Sequence, residues 1–327
     1  MATQVNNGRA FEFAVAQHLA RHFCHYGSVK FVIDNEYDKC RKCYEMQLES
    51  EKQRYLNAAI SLMDKFYRLE PGLSCPKSVY DVLYIRLLPD SVAKFGDPRD
   101  IQLYRLDEKN KKQIAWEVGF SAKNNHEAVK NPRISPTRDF GRAWLDMPCS
   151  AEYFQDVKNV FSWVGQTGAT TWEELGEEKF KKVYKPIMVA FKRQLDNFFR
   201  CSPNLAAERL IRYLAGSRSF YKIIKNDRDS TVDVKAFAFF EDLNRSYNEA
   251  VPEARVKKIP LPTKVLEFDF IPGSYDTMSM VLDGGWRIDF RIHNADKIIK
   301  AKAESNSLKL DVQLKGNPPN LFSKKFG

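Results

Sequence analysis

In the stretch Glu117-Val-Gly-Phe-Ser121-Ala-Lys123, a carboxylate, a hydroxyl and an ammonium fall on odd positions of an otherwise apolar run. Side chains of a β-strand alternate between its faces, so Glu117, Gly119, Ser121 and Lys123 share one face. Asp81 lies inside a second apolar run, Val79 to Leu88 (VYDVLYIRLL). Carboxylates and a lysine on adjacent strands suit the metal-assisted attack of water on a phosphodiester. Carboxylates hold Mg²⁺, which prefers hard oxygen ligands. The metal stabilises charge developing on the phosphate and lowers the pKa of the attacking water. Lysine holds that water and offsets phosphate charge.

An acid on one strand beside acid-x-Lys on its neighbour resembles the PD-(D/E)xK nucleases. One position departs from that pattern, because Ser121 stands where the second acid belongs. Glu117 precedes Lys123 by six residues, about 20 Å along an ideal strand. The two share a metal only if the strand bends or bulges, and Gly119 is the natural place for that. Otherwise the missing carboxylate comes from elsewhere. Glu12 is one source, since a helical glutamate completes the site in several such nucleases; Glu127, just past the strand, is another. The candidate metal ligands are therefore Asp81, Glu117 and Glu12, and the candidate catalytic set adds Ser121 and Lys123.

Elements that would position these residues are legible. Arg9 to Cys24 has helical spacing, with Phe11, Ala14, Val15 and Leu19 on one stripe. Tyr44 to Leu69 reads as one long helix, stopped by Pro71-Gly72. Val79–Leu88, Ile101–Leu106 and Gln113–Lys123 read as strands, and Asn131–Pro148 as an ordered loop. Ser150 caps a helix running to about Val164, and Thr171-Trp-Glu-Glu174 reads as a capping box opening a helix to Arg200. A helix over Asn204–Ala215 closes at Gly216. Strands are then expected at Phe220–Lys225, Val232–Phe239, Lys264–Ile271, Met278–Leu282, Trp286–His293 and Leu308–Leu314. Asp283-Gly284-Gly285 marks a hairpin turn, and Lys324-Lys325 reads as a mobile end. The fold class is α/β: a PD-(D/E)xK-like core, a mixed sheet flanked by helices, with a β-rich C-terminal part. The expected division is a nuclease core with a helical insertion over 1–200 and a β-rich DNA-recognition part over 201–327.

The chain has 327 residues, and 52 Lys+Arg against 42 Asp+Glu give a formal charge of +10. That moderate excess favours a polyanionic partner. No apolar run approaches the roughly 18 residues of a membrane span. Arg9, Glu12, Gln17 and His18 interrupt the place where a signal peptide needs an apolar core. A cytoplasmic location with reduced cysteines is expected; Cys40-x-x-Cys43 is a lone pair without a second at zinc-finger spacing.

Longer stretches resemble the HaeIII-type restriction endonucleases. They are Asn7-Gly-Arg-Ala-Phe-Glu12, Asp81-Val-Leu-Tyr-Ile-Arg86, Trp116-Glu-Val-Gly-Phe-Ser-Ala-Lys123 with Asn125-His126-Glu-Ala-Val-Lys130, and Gly285-Trp-Arg-Ile-Asp-Phe-Arg-Ile-His-Asn294. Asp139-Phe-Gly141, Pro148-Cys-Ser150, Phe220-Tyr-Lys222 and Ser307-Leu-Lys-Leu-Asp-Val-Gln313 extend the likeness over nearly the whole chain. The resemblance implies a type II enzyme that needs Mg²⁺ and cuts GGCC in double-stranded DNA between G and C, leaving blunt ends. It also implies functional pairing with a cognate DNA methyltransferase.

Guanines of such a site offer O6 and N7 in the major groove, where Arg suits them best. The candidates for base readout are Arg133, Arg138, Arg287 and Arg291. Lys130 is a candidate phosphate contact, and Asn124, Asn125 and His126 follow the lysine where they would meet phosphate or water. A palindromic site suits a two-fold homodimer, and a monomer that nicks each strand in turn suits it too. Two alternatives stay open: another PD-(D/E)xK nuclease acting in repair or on junctions, and a non-catalytic DNA-binding protein.

Overall fold

The structure is a computed structural model and describes residues 4–74, 76–78, 81–125, 128–216, 218–239, 243 and 256–326. In chain order the helices and strands are α1 (Gln4–Phe23), β1 (Ser28–Phe31), α2 (Asn35–Glu45), α3 (Glu49–Leu69), β2 (Val82–Leu87), β3 (Ile101–Leu106) and β4 (Ile114–Asn124). There follow β5 (Ala128–Lys130), β6 (Arg133–Ile134), α4 (Phe140–Leu145), α5 (Ala151–Gln166), α6 (Lys185–Cys201) and α7 (Pro203–Ala215). The chain ends with β7 (Phe220–Asn226), β8 (Thr231–Phe237), β9 (Val265–Phe270), β10 (Thr277–Leu282), β11 (Trp286–Asn294), β12 (Leu308–Gly316) and β13 (Phe322–Phe326).

Contacts divide the chain into two units. The first comprises Met1–Glu127, Gly216–Ile259 and Asn320–Gly327, and the second Ala128–Ala215 and Pro260–Pro319. The expected division at 200/201 falls inside α6. The reason is topological: β7, β8 and β13 return to the first unit's sheet, whose order is β1-β2-β3-β4-β7-β8-β13.

That seven-stranded sheet is mixed, with β1–β2 and β4–β7 parallel and β2–β3 and β3–β4 antiparallel. Phe11, Val15, Leu19 and Phe23 of α1 form a buried stripe against Leu83, Ile85, Leu103, Val118, Phe120 and Ala122. Burial of this apolar stripe holds the helix on the sheet. In β4, Val118, Phe120 and Ala122 point into that core. Strand alternation therefore turns Glu117, Gly119, Ser121 and Lys123 to the opposite face.

The second unit carries a sheet ordered β5-β12-β11-β10-β9, with β6 also paired to β12. Helices α5 and α6 pack together within it. The β10–β11 hairpin turns at Gly284 (φ 64°) and Gly285 (φ 76°), a conformation that favours glycine.

Four local expectations are corrected. The stretch expected as one helix from Tyr44 is two, because Met46 and Leu48 are exposed (73% and 74%) and carry the chain around a corner. The loop Asn131–Pro148 contains β6 and α4. Glu174 accepts from Thr170 N and from the Thr170 and Thr171 hydroxyls, but this closes a turn. Gly176, at φ 50°, ends that turn, and helical structure starts with a π-helical stretch at Lys179–Tyr184 before α6. Lys324 and Lys325 are paired in edge strand β13 against Val234 and Asp233 of β8, where lysines protect an edge from further pairing. No helix among the described residues is long and apolar enough to cross a membrane.

Candidate active site

Strand β3 runs antiparallel to β4 with Ile101 opposite Phe120. The residue before β3, Asp100, therefore stands beside Ser121 at the end of β4 that carries Lys123. Its Oδ2 accepts from Ser121 Oγ at 3.0 Å, from the Ala122 backbone N–H at 2.8 Å and from Lys123 Nζ at 3.0 Å. The Asp100 N–H donates to Phe120 O (2.8 Å) and its carbonyl accepts from Leu88 N (2.9 Å), so both neighbouring strands fix it.

Glu12 of α1 lies near enough to Asp100 and Lys123 for their charges to act on it. Burial and the charge of Asp100 push its carboxyl well above the usual range, with Lys123 and Arg9 only partly offsetting them. Burial opposes the charge on Lys123, yet Asp100 and Glu12 outweigh it and hold the ammonium's pKa above its ordinary value. Arg9, three residues before Glu12, is tied to Asp90 (3.0 Å) and Glu36 (3.4 Å). Two carboxylates thus act on one ammonium, which contacts only Asp100 directly. The hard oxygen donors of Glu12 and Asp100 are of the kind that would hold a divalent metal ion. Among the described residues no group of three or more His, Cys, Asp or Glu forms a fuller metal site.

The structure does not bring Asp81 to this place. Asp81 precedes β2 at the opposite end of the strands, about 20 Å from the level of Leu87 at strand spacing. Its carboxylate pairs with Arg105 at 3.4 Å, each side chain 3% exposed, and accepts from Lys77 N at 3.1 Å. Arg105 also donates to the Gly72 and Leu73 carbonyls. Asp81 serves a buried ion pair, which corrects its expected place among the metal ligands.

Glu117 is also held apart. It accepts a short hydrogen bond from the Gln102 amide and lies 3.3 Å from both Arg99 and Arg218. The bulge that Glu117 would need at Gly119 to share a metal with Lys123 is absent: β3–β4 register is continuous from Ile101/Phe120 to Arg105/Trp116 and shifts only beyond. Gly119 instead makes room for Arg99, whose Cδ would lie 1.8 Å from a Cβ at that position.

Asn125, at φ 60°, uses its amide internally. It donates to Asn124 Oδ1 (3.1 Å) and to Asp227, and accepts from Asp227 N at 2.8 Å. His126 and Glu127 lie outside the described residues.

In the second unit, Lys130 is half-buried with its ammonium 3.9 Å above the Tyr213 ring. Arg133 donates to Ser307 Oγ at 3.0 Å, while Arg138 is exposed. On β11, Arg287 grips Asp289 through Nε (2.9 Å) and Nη2 (3.1 Å). Arg291 reaches its cross-strand neighbour Asp311 at 3.0 Å.

Sequence reasoning missed Asp100. The signal was available: in an antiparallel pair the start of one strand lies beside the end of the other, and Asp100 immediately precedes a strand read correctly.

A mixed sheet flanked by helices, with Asp100 at one strand start, Ser121-Ala-Lys123 on its neighbour and Glu12 on a packed helix, has the layout of a PD-(D/E)xK-type nuclease core. The family model for the HaeIII restriction endonuclease matches residues 8–318. The chain is 30% identical over 319 residues to the type II restriction enzyme HaeIII of Haemophilus aegyptius, covering 97% of this chain and 96% of that protein. The chain belongs to the HaeIII restriction endonuclease family, and it is a site-specific deoxyribonuclease. No solved structure matches it.

Proposed function

We propose that this enzyme hydrolyses double-stranded DNA at GGCC, between G and C, to blunt ends, with Mg²⁺ as its cofactor. The observation that carries the chemistry is the 3.0 Å contact of Lys123 with Asp100, with Glu12 near enough for its charge to act on both. Glu12 and Asp100 would hold the cation, which when bound would stabilise phosphate charge and acidify water. Lys123, its charge secured by the two carboxylates, orients the attacking water and neutralises the scissile phosphate. Ser121 and the Ala122 N–H fix the Asp100 carboxylate through Oδ2.

Base reading is assigned to the β10–β11–β12 face. Arg287, Asp289 and Arg291 alternate onto it, and Asp311 and Gln313 lie directly opposite Arg291 and Asp289. Guanidinium suits guanine O6/N7, and a carboxylate suits the cytosine amino group. Arg133 and Arg138 are assigned to the duplex with them, and Asn124 and His126 to the scissile region. Lys130, whose ammonium lies over the Tyr213 ring, is assigned to phosphate. The enzyme acts in the cytoplasm as a two-fold homodimer on a palindrome, with a methyltransferase marking the same sequence.

The test is digestion of phage DNA by the purified protein with Mg²⁺, followed by sequencing of the ends. Discrete fragments ending blunt at GGCC support the reading. Smears, nicks at junctions, or binding without cuts refute it.

A further inference from the structure

The Asp100 carboxylate is held by Ser121, the Ala122 N–H and Lys123, and its backbone follows directly on Arg99. Arg99 is a buried arginine, its side chain 5% exposed. Its Nε and Nη2 take both carboxylate oxygens of Asp97, at 2.8 and 2.7 Å. Its Nη1 lies 3.3 Å from Glu117 Oε2 on β4. The stem crosses the strand at Gly119, where a Cβ would sit 1.8 Å from Cδ and 2.6 Å from Cγ. Gly119 has ordinary strand backbone, so glycine is needed there for room. The 96–98 turn is held in its own way: a Cβ on Gly216 would meet Gly96 O at 2.3 Å and Pro98 Cδ at 2.6 Å.

We propose that Arg99 is a positioning residue for Asp100, clamped between Asp97 and Glu117 across Gly119. This rests on the assignment of Asp100 as a metal-holding carboxylate. The clamp ties the residue before Asp100 to the same strand that carries Ser121 and Lys123, so donor and acceptor sides of the site move as one body. Glu117 thereby gains a role that is not metal binding. With Asp97 it balances Arg99 and Arg218, and the cluster does not compete for the cation. A planar fork is required to span two carboxylates, which lysine cannot do.

The test uses the full-length protein and a duplex carrying its site, in single-turnover cleavage titrated with Mg²⁺. Arg99→Lys and Glu117→Gln are expected to lower the cleavage rate about 10- to 100-fold and to raise the Mg²⁺ needed for half-maximal rate. Duplex binding in Ca²⁺ should stay within about threefold, because none of the clamp residues Asp97, Arg99 and Glu117 is assigned to the duplex. Gly119→Ala, which pushes Arg99 aside without changing charge, should give the same pattern; a melting curve taken for each variant identifies any that fails to fold. Asp100→Asn is the control. If Asp100→Asn is inactive while Arg99→Lys and Glu117→Gln cleave like the parent at every Mg²⁺ concentration, the clamp is refuted and the site stands. If Asp100→Asn cleaves normally, the site assignment falls and the clamp with it. Equal losses of binding and rate also overturn positioning in favour of a general structural role.

Discussion

Lys123 Nζ stands 3.0 Å from Asp100 Oδ2, and the same oxygen accepts from Ser121 Oγ and Ala122 N. One carboxylate oxygen thus gathers three donors from consecutive residues of β4. The arrangement explains how a serine occupies a place where an acid is expected. Ser121 donates to the carboxylate of the adjacent strand and carries none of its own.

Ser121→Ala removes a hydrogen bond to a charged acceptor, worth about 1.5–3 kcal/mol. A comparable loss of Asp100 alignment lowers the cleavage rate about tenfold or more. Ser121→Asp should be worse than Ser121→Ala, because a second carboxylate would face Asp100 and one of the two would stay protonated. Cleavage rates of the two variants check this; a Ser121→Asp enzyme faster than Ser121→Ala would make position 121 a metal ligand.

Asp81 and Arg105 form an ion pair at 3.4 Å, both side chains 3% exposed. Asp81→Ala leaves the Arg105 charge buried beside the Gly72 and Leu73 carbonyls and should destabilise the fold by about 3–5 kcal/mol. Denaturant unfolding measures it. Loss of cleavage with unchanged stability would return Asp81 to the catalytic set.

Burial brings the pKa of Lys130 down from 10.5 to about 8. The folded protein therefore releases this proton at lower pH than the unfolded chain does. Stability rises with pH between the two values and carries the full cost of the buried charge below about 8. Lys130→Met should be more stable than the parent at pH 7, and the gap should close as the pH climbs through that window. Melting curves at several pH values check this; a constant gap would place the Lys130 ammonium in solvent.

The sheet strands were legible because each is a short apolar or alternating run with turn residues at its ends. β4 is the clearest case, with Ser121 and Lys123 correctly placed on one face. Glu12 was a candidate from its helix and from what PD-(D/E)xK nucleases do, and its charge acts on Asp100 and Lys123. Asp100 was not, since a carboxylate in a turn looks like any surface acid until strand pairing places it. Asp81 misled because a buried acid in an apolar run has two causes, a site or an ion pair, and Arg105 lies 24 positions away in sequence. Strand β13 escaped because Phe322 to Phe326 is polar in its middle, and only the exposed edge of β8 makes it a strand.

Arg291 reaches Asp311 across the β11–β12 pair with more than half of its side chain exposed. Arg291→Ala should cost about 1–3 kcal/mol in binding to GGCC duplex in Ca²⁺ and much less on unrelated DNA. Competition binding against both duplexes separates the two. Equal losses would make Arg291 a phosphate contact and move base reading to Arg133 and Arg138.

The most direct measurement is single-turnover cleavage of a GGCC duplex at saturating Mg²⁺ by Asp100→Asn beside Asp81→Asn, each with its Ca²⁺-supported binding. Removing a carboxylate that holds the cation should cost Asp100→Asn about three orders of magnitude or more in rate while binding persists. Asp81→Asn, once shown to be folded, should cleave within about tenfold of the parent. An active Asp100→Asn enzyme, or a folded Asp81→Asn enzyme that binds but does not cut, would contradict the site built on Glu12, Asp100 and Lys123.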